Sequence, residues 1–144
     1  MKKILLLQGA NLNYLGKRDP HLHGSTTADQ LNAMLQQDAQ INGYHLEIFY
    51  SNHEGMAIDR IYQAKEEEFD GLVMNPAGFS YAGYALRDCI LGVELPYIEI
   101  HVNNIAKRNI HCVLSDISVG LFTGFGIYGY ILALNAMRNL LTEK

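Results

Sequence analysis

Ile4-Leu5-Leu6-Leu7-Gln8-Gly9-Ala10-Asn11 opens with four apolar residues in a row and closes on a glycine and an asparagine. A strand built from such a run has no polar side, so protein must cover both of its faces. The run is too short for the apolar segment of a secretion signal, and no small-residue cleavage site follows, so it reads as a first strand. Comparable strand-like segments recur at 46–50, 71–74, 97–102 and 119–123. Between them lie segments of helical period at 27–43, 53–68, 81–92 and 127–141, with a short helical stretch expected at 104–109. In the first helix Leu31, Met34, Leu35 and Ile41 share one face; Thr26 or Thr27 is placed to cap its start and Gly43 to close its end. The acidic tail Lys65-Glu66-Glu67-Glu68 of the second reads as a solvated face. Five strands alternating with helices, most of them apolar on both sides, predict a parallel sheet covered on both sides. With right-handed crossovers this is an α/β, flavodoxin-like three-layer sandwich with a five-stranded parallel sheet, one unit over 1–144.

Length and composition agree. The 144 residues suit one ordinary domain, and 49% apolar residues supply a core. No apolar run approaches the roughly 18 residues a membrane span needs. Eleven basic against fifteen acidic residues give a net charge of −4, with the basic residues scattered, which disfavours a nucleic-acid partner. Cys89 and Cys112 stand far apart in no metal spacing and read as reduced thiols of a cytoplasmic protein.

In an open parallel sheet, ligands bind beyond the carboxyl ends of the strands. Those ends carry Gln8-Gly9-Ala10-Asn11-Leu12-Asn13, Ser51-Asn52-His53-Glu54-Gly55, Asn75-Pro76-Ala77-Gly78 and His101-Val102-Asn103-Asn104. Asparagine is also a turn residue, so any one of these has a purely conformational reading. In Tyr97-Ile98-Glu99-Ile100-His101, alternation puts Glu99 and His101 on one face and Ile98 and Ile100 on the other. A carboxylate beside an imidazole fixes its tautomer and raises its pKa. The pair is therefore either a satisfied structural contact or a general acid with its orienting group. The loop from Gly16 to Thr27 is long for a connection of this kind and holds Lys17, Arg18, His21 and His23, poised over the rim. His21-Leu22-His23 has no third ligand at a telling spacing, so no metal site is expected.

Taken together, Gln8-Gly9-Ala10-Asn11-Leu12-Asn13, Gly24-Ser25-Thr26-Thr27, Ser51-Asn52-His53-Glu54-Gly55, Leu86-Arg87-Asp88, Ile98-Glu99-Ile100-His101-Val102-Asn103-Asn104 and the stretch from Gly124 to Tyr130 resemble the type II 3-dehydroquinate dehydratases. The resemblance spans nearly the whole chain in order. It implies a flavodoxin-like fold and a cofactor-free hydro-lyase of the shikimate or quinate pathway, assembled as a dodecamer of trimers. Its members dehydrate 3-dehydroquinate by anti elimination through an enolate. The resemblance makes His101 the general acid, oriented by Glu99, and gives Asn11 a water that stabilises the enolate. Arg18 matches the loop arginine beside the base, Val102 and Asn103 would hold the substrate carboxylate, and Asn75 and Asp88 would hold hydroxyl groups.

The chain departs from that pattern at four positions. The loop base, a tyrosine in the family, is His23, while a substrate-contacting histidine is Tyr81. An arginine that reaches the substrate is Cys112, and a serine is Asn103. A phenol of pKa about 10 is ionised in roughly one part in a thousand at pH 7, a cost of about 4 kcal/mol. Imidazole avoids that cost but is a weaker base by about 3.5 units, or roughly 4.8 kcal/mol, so the two nearly offset. The apparent exchange of Tyr and His makes Tyr81 a second candidate base. Arg108 or Lys107 is placed to make up for the arginine missing at Cys112. Two other readings accompany these departures: a catalytically impaired binding protein of the same shape, and a lyase acting on a related hydroxy-ketone acid.

Overall fold

The computed structural model describes residues 1–143, apart from the side chains of Leu22 and His23. Five parallel strands form one sheet in the order β2-β1-β3-β4-β5: β1 (Lys3–Ala10), β2 (His45–Tyr50), β3 (Gly71–Ala77), β4 (Tyr97–His101) and β5 (Gly120–Thr123). The helices are α1 (Pro20–His23), α2 (Ala28–Asn42), α3 (Glu54–Glu66), α4 (Tyr84–Val93) and α5 (Tyr128–Thr142). The three central strands are buried along nearly their whole length, whereas β2 and β5 at the edges are only partly covered. That division explains why the inner strands read as unbroken apolar runs.

Alternation along the inner strands sends side chains into two separate cores. Leu5, Leu7, Leu72, Met74 and Tyr97 pack with Ala57 and Ile61 of α3 and Leu86, Cys89 and Ile90 of α4. Ile4, Leu6, Val73, Ile98 and Ile100 pack with Leu31 and Leu35 of α2 and Tyr130, Leu134 and Met137 of α5. The start of α2 is closed reciprocally, Thr27 Oγ1 accepting from Gln30 N and Gln30 Oε1 from Thr27 N, and Gly43 ends it in the left-handed region. Two residues expected on its apolar face are not core. Ile41 is 73% exposed and Met34 38%, and Ala39 is the residue that closes the buried stripe. The stretch at 104–109 is not a helix but a series of tight turns, ending at Asn109 with φ 55°. An unpredicted 3-10 turn spans Ser115–Ile117.

The first and third strands are joined tightly at their carboxyl ends. A Cβ on Gly9 would lie 2.1 Å from the carbonyl oxygen of Pro76, so only glycine fits there. The chain reverses the direction of its crossovers between β1 and β3, and at such a point the connecting loops part and leave a crevice. No helix among the described residues is long and apolar enough to cross a membrane.

Candidate active site

The crevice is a cavity of about 170 Å³, the scale of a small molecule, over the carboxyl ends of β1, β3 and β4. Asn11, Arg18, Asn75, Tyr81, His101, Val102 and Asn103, all expected from the sequence, line it together. Each arrives by a local device. Asn11 follows β1 with φ 77°, and its backbone N–H donates to Asn52 Oδ1 at 2.7 Å. The neighbouring Ser51 hydroxyl accepts from His53 N at 2.9 Å, and Glu54 accepts from Leu86 N at 3.0 Å at the start of α4. The Ser51-Asn52-His53-Glu54 motif thus braces the rim loops rather than reaching into the cavity.

Asn75 is buried at the end of β3. Its Nδ2 donates to Tyr130 OH at 2.9 Å, and Tyr130 in turn donates to Gln8 Oε1 at 2.9 Å. Its Oδ1 accepts from Ala77 N at 3.1 Å. With both ends held, the amide has one orientation and keeps one N–H for the cavity. Ala77 sits at φ 47°, an uncommon conformation for a residue with a Cβ and one found where a surrounding network imposes it.

Glu99 and His101 share a face of β4, as alternation requires. Glu99 is fully buried, and its Oε2 accepts from His101 Nε2 at 2.8 Å. Tyr97 OH donates to Oε1 at 2.5 Å, Ser115 donates to Oε2, and the Cys112 thiol lies 3.5 Å from Oε1. Burial pushes the Glu99 carboxyl up, but hydrogen bonds from His101, Ser115 and Tyr97 outweigh it and hold it below its ordinary value. For His101 burial opposes the charged form, yet hydrogen bonding with Cys112 and Glu99 and the carboxylate's charge raise it to about 9. The imidazolium is therefore the resting form at neutral pH, with a proton to give and an edge on the cavity. Glu99, His101 and Cys112 present ligand atoms within 4.8 Å of one another, a spacing a metal ion accepts, though hydrogen bonds already engage these groups.

Two expected site residues stand elsewhere. Asp88 is exposed on α4 and does not line this cavity. Cys112 is buried against Glu99 instead of facing the ligand space, because Arg87 straps its segment down. Arg87 Nη1 donates to Val113 O at 2.8 Å and the guanidinium pairs with Asp116. The side chain of His23 lies outside the described residues.

Arg108 does line the cavity, so a guanidinium from the segment after β4 is present although position 112 holds a thiol. Tyr14, Ser80, Ile105 and Ile110 also line it and were not anticipated. Ser80 is buried, and its hydroxyl has no partner among the described residues. An orphan hydroxyl on a cavity wall is satisfied by a ligand or water. Nothing in the local sequence marks Ser80 or Tyr14; only the folded rim brings them in. The cavity offers an acid, two cations, amides and phenols, which suits a small polyhydroxylated anion and a reaction moving protons.

Residues 2–138 match the family model described as dehydroquinase class II. The chain is 43% identical over 146 residues to the 3-dehydroquinate dehydratase of Bacillus cereus (strain AH187), covering 99% of each protein. It superimposes on the crystal structure of type II dehydroquinase from Butyrivibrio crossotus DSM 2876 with a TM-score of 0.92 and 33% identity, over 95% of this chain and 97% of that one. The type II dehydroquinase from Propionibacterium acnes gives 0.89 and 35%, over 99% and 98%.

Proposed function

This chain belongs to the class II dehydroquinase family, and from that membership we propose that its cavity dehydrates 3-dehydroquinate to 3-dehydroshikimate with His101 as the general acid. The observation that carries the reading is the buried Glu99–His101 pair at the end of β4, the imidazole opening onto a cavity that also holds Asn11, Arg18 and Asn75.

Water leaves the substrate by anti elimination. A base takes the proton from the carbon next to the ketone, and the electron pair moves into an enolate. Asn11 stabilises the enolate oxygen through a water, and the guanidinium of Arg18 favours the developing negative charge. The enolate then collapses, the carbon–oxygen bond breaks, and His101 delivers its proton to the departing hydroxyl, giving water and a conjugated enone. Glu99 keeps the imidazolium aimed throughout. The base returns its proton to solvent and His101 takes one up, which closes the cycle without a cofactor. The backbone at Val102 and Asn103 holds the substrate carboxylate, Asn75 holds a hydroxyl, and Arg108 takes the place of the guanidinium missing at Cys112.

We assign proton abstraction to Tyr81, a phenol on the cavity wall, with the loop residue His23 as the rival. Substrate deuterated stereospecifically next to the ketone tests the course of the reaction. Anti elimination releases a deuterium placed anti to the departing hydroxyl and retains one placed syn to it; the reverse pattern would refute it.

We also propose that the chain works in the cytoplasm, consistent with its free thiols at Cys89 and Cys112, and assembles as a dodecamer built of trimers. Exposed Leu91, Val119, Leu121, Phe125 and Tyr128 supply apolar surface for such contacts. Native mass spectrometry showing twelve copies of the 16.2 kDa chain would support this, and a monomer would refute it.

A further inference from the structure

Glu99 collects more hydrogen bonds than its charge requires. His101 alone would neutralise the carboxylate, yet Tyr97 and Ser115 also donate hydroxyls to it, one to each oxygen, with the Cys112 thiol as a weaker third. These donors come from different places. Tyr97 stands two residues before Glu99 on the same face of β4 and is 1% exposed, while Ser115 begins the 3-10 turn beyond the strap held by Arg87. A carboxylate bound at one oxygen still pivots; bound at both from opposite sides it does not. Sharing its charge among several donors also makes it less eager for the proton on His101.

We infer that Tyr97 and Ser115 are positioning residues of the dehydration, locking Glu99 in one orientation and setting how readily His101 releases its proton. The inference rests on the reading of His101 as the acid and adds to it two hydroxyls outside the cavity. The groups facing the Glu99–His101 pair are Tyr97 on β4, Cys112 and Ser115 on the following segment, and Tyr14, Arg18, Tyr81 and Arg108 lining the cavity. The nearby Arg87 and Asp116 neutralise each other. When the Tyr97 hydroxyl is removed, Oε1 keeps only a thiol, which is a poor donor. Negative charge then concentrates on the carboxylate, its hold on the imidazolium tightens, and the acid becomes weaker.

Tyr97→Phe isolates the effect, because the ring that fills the core remains. The expected result is a kcat about tenfold lower with KM changed less than about twofold, and a basic limb of the kcat profile moved to higher pH. The His101 ring resonance, identified by its absence in His101→Ala, moves its titration midpoint upward as well. Ser115→Ala behaves in the same direction, and Ser115→Thr, which keeps the hydroxyl, restores the native profile. A purely structural role would lower the melting temperature and leave the titration where it was. Unchanged kcat and an unchanged His101 midpoint in both Tyr97→Phe and Ser115→Ala would overturn the inference. If Tyr97→Phe does not fold, the Ser115→Ala and Ser115→Thr pair decides. Should His101→Ala turn over as fast as the native protein, the assignment of the acid falls, whereas the resonance midpoints still report on the lock.

Discussion

Replacing Glu99 by glutamine keeps the shape of the side chain and removes its charge. Oε2 accepts from His101 at 2.8 Å and from Ser115, and Oε1 accepts from Tyr97 at 2.5 Å. Whichever side the new NH2 group takes, it meets a hydroxyl that had been donating, so one buried donor loses its partner. The larger consequence falls on His101. Burial opposes its charged form, and hydrogen bonding with Cys112 and Glu99 and the carboxylate's charge hold it at about 9. Without the anion it returns toward the ordinary imidazole value of about 6.5. At about pH 8 the native imidazole is then roughly nine-tenths protonated and the variant's roughly three-hundredths, a loss of about thirtyfold in acid form. Below about pH 6 both are protonated and the rates draw together. Initial rates of enone formation across the pH range measure this directly. The basic limb of kcat in Glu99→Gln should sit near 6.5 instead of near 9, with KM little changed because Glu99 does not line the cavity. A variant whose basic limb coincides with the native one would refute the claim that Glu99 sustains the acid.

Other perturbations test separate parts of the site. Tyr81→Phe should lower kcat by about a hundredfold or more while Tyr14→Phe, on the same cavity wall, costs less than about threefold; equal turnover by Tyr81→Phe and the native protein would return the base to His23. Arg108→Ala should raise KM about tenfold and leave kcat near the native value, since it removes a contact made to bound substrate at every stage. Stability should also follow pH. Because His101 is raised in the folded state, its contribution is complete below about pH 6.5 and is lost as pH climbs through about 9, a change on the order of 3 kcal/mol. Glu99 is lowered, so its contribution is present above the usual carboxylate range and disappears in acid. Urea titrations at about pH 6 and about pH 9.5 check the alkaline decline, which Glu99→Gln should flatten. Gly9→Ala drives a Cβ to 2.1 Å from a backbone oxygen and should cost more than about 2 kcal/mol in the same titrations.

What could be read from the chain and what could not divides along physical lines. Period-2 alternation placed Glu99 and His101 together because a strand's side chains obey it regardless of their surroundings, and the same count carries Tyr97 to that face. Thr26 or Thr27 and Gly43 marked the ends of α2 because capping is local chemistry, and Thr27 proves to be the cap. Ile41 and Met34 misled because helical period locates a stripe but not the angle through which the core covers it. The stretch at 104–109 has a helical composition, yet its turns close only three residues apart and Asn109 breaks them. Cys112 was expected at the ligand; its place against Glu99 depends on the Arg87–Asp116 strap, a contact between residues 29 apart. Ser80, Tyr14 and Ser115 gain meaning only when loops from different strands meet. Fold follows from patterns repeated along the chain, whereas the site is an intersection of several loops.

The proposed elimination of water from 3-dehydroquinate depends above all on His101 as the acid. The most direct measurement follows the ultraviolet absorbance of the conjugated enone after purified protein is mixed with 3-dehydroquinate, beside the His101→Ala variant. Sustained turnover by the native protein and a loss of at least about a hundredfold in the variant are expected. Absence of turnover in the folded native protein, or undiminished turnover after loss of the imidazole, would contradict the proposal.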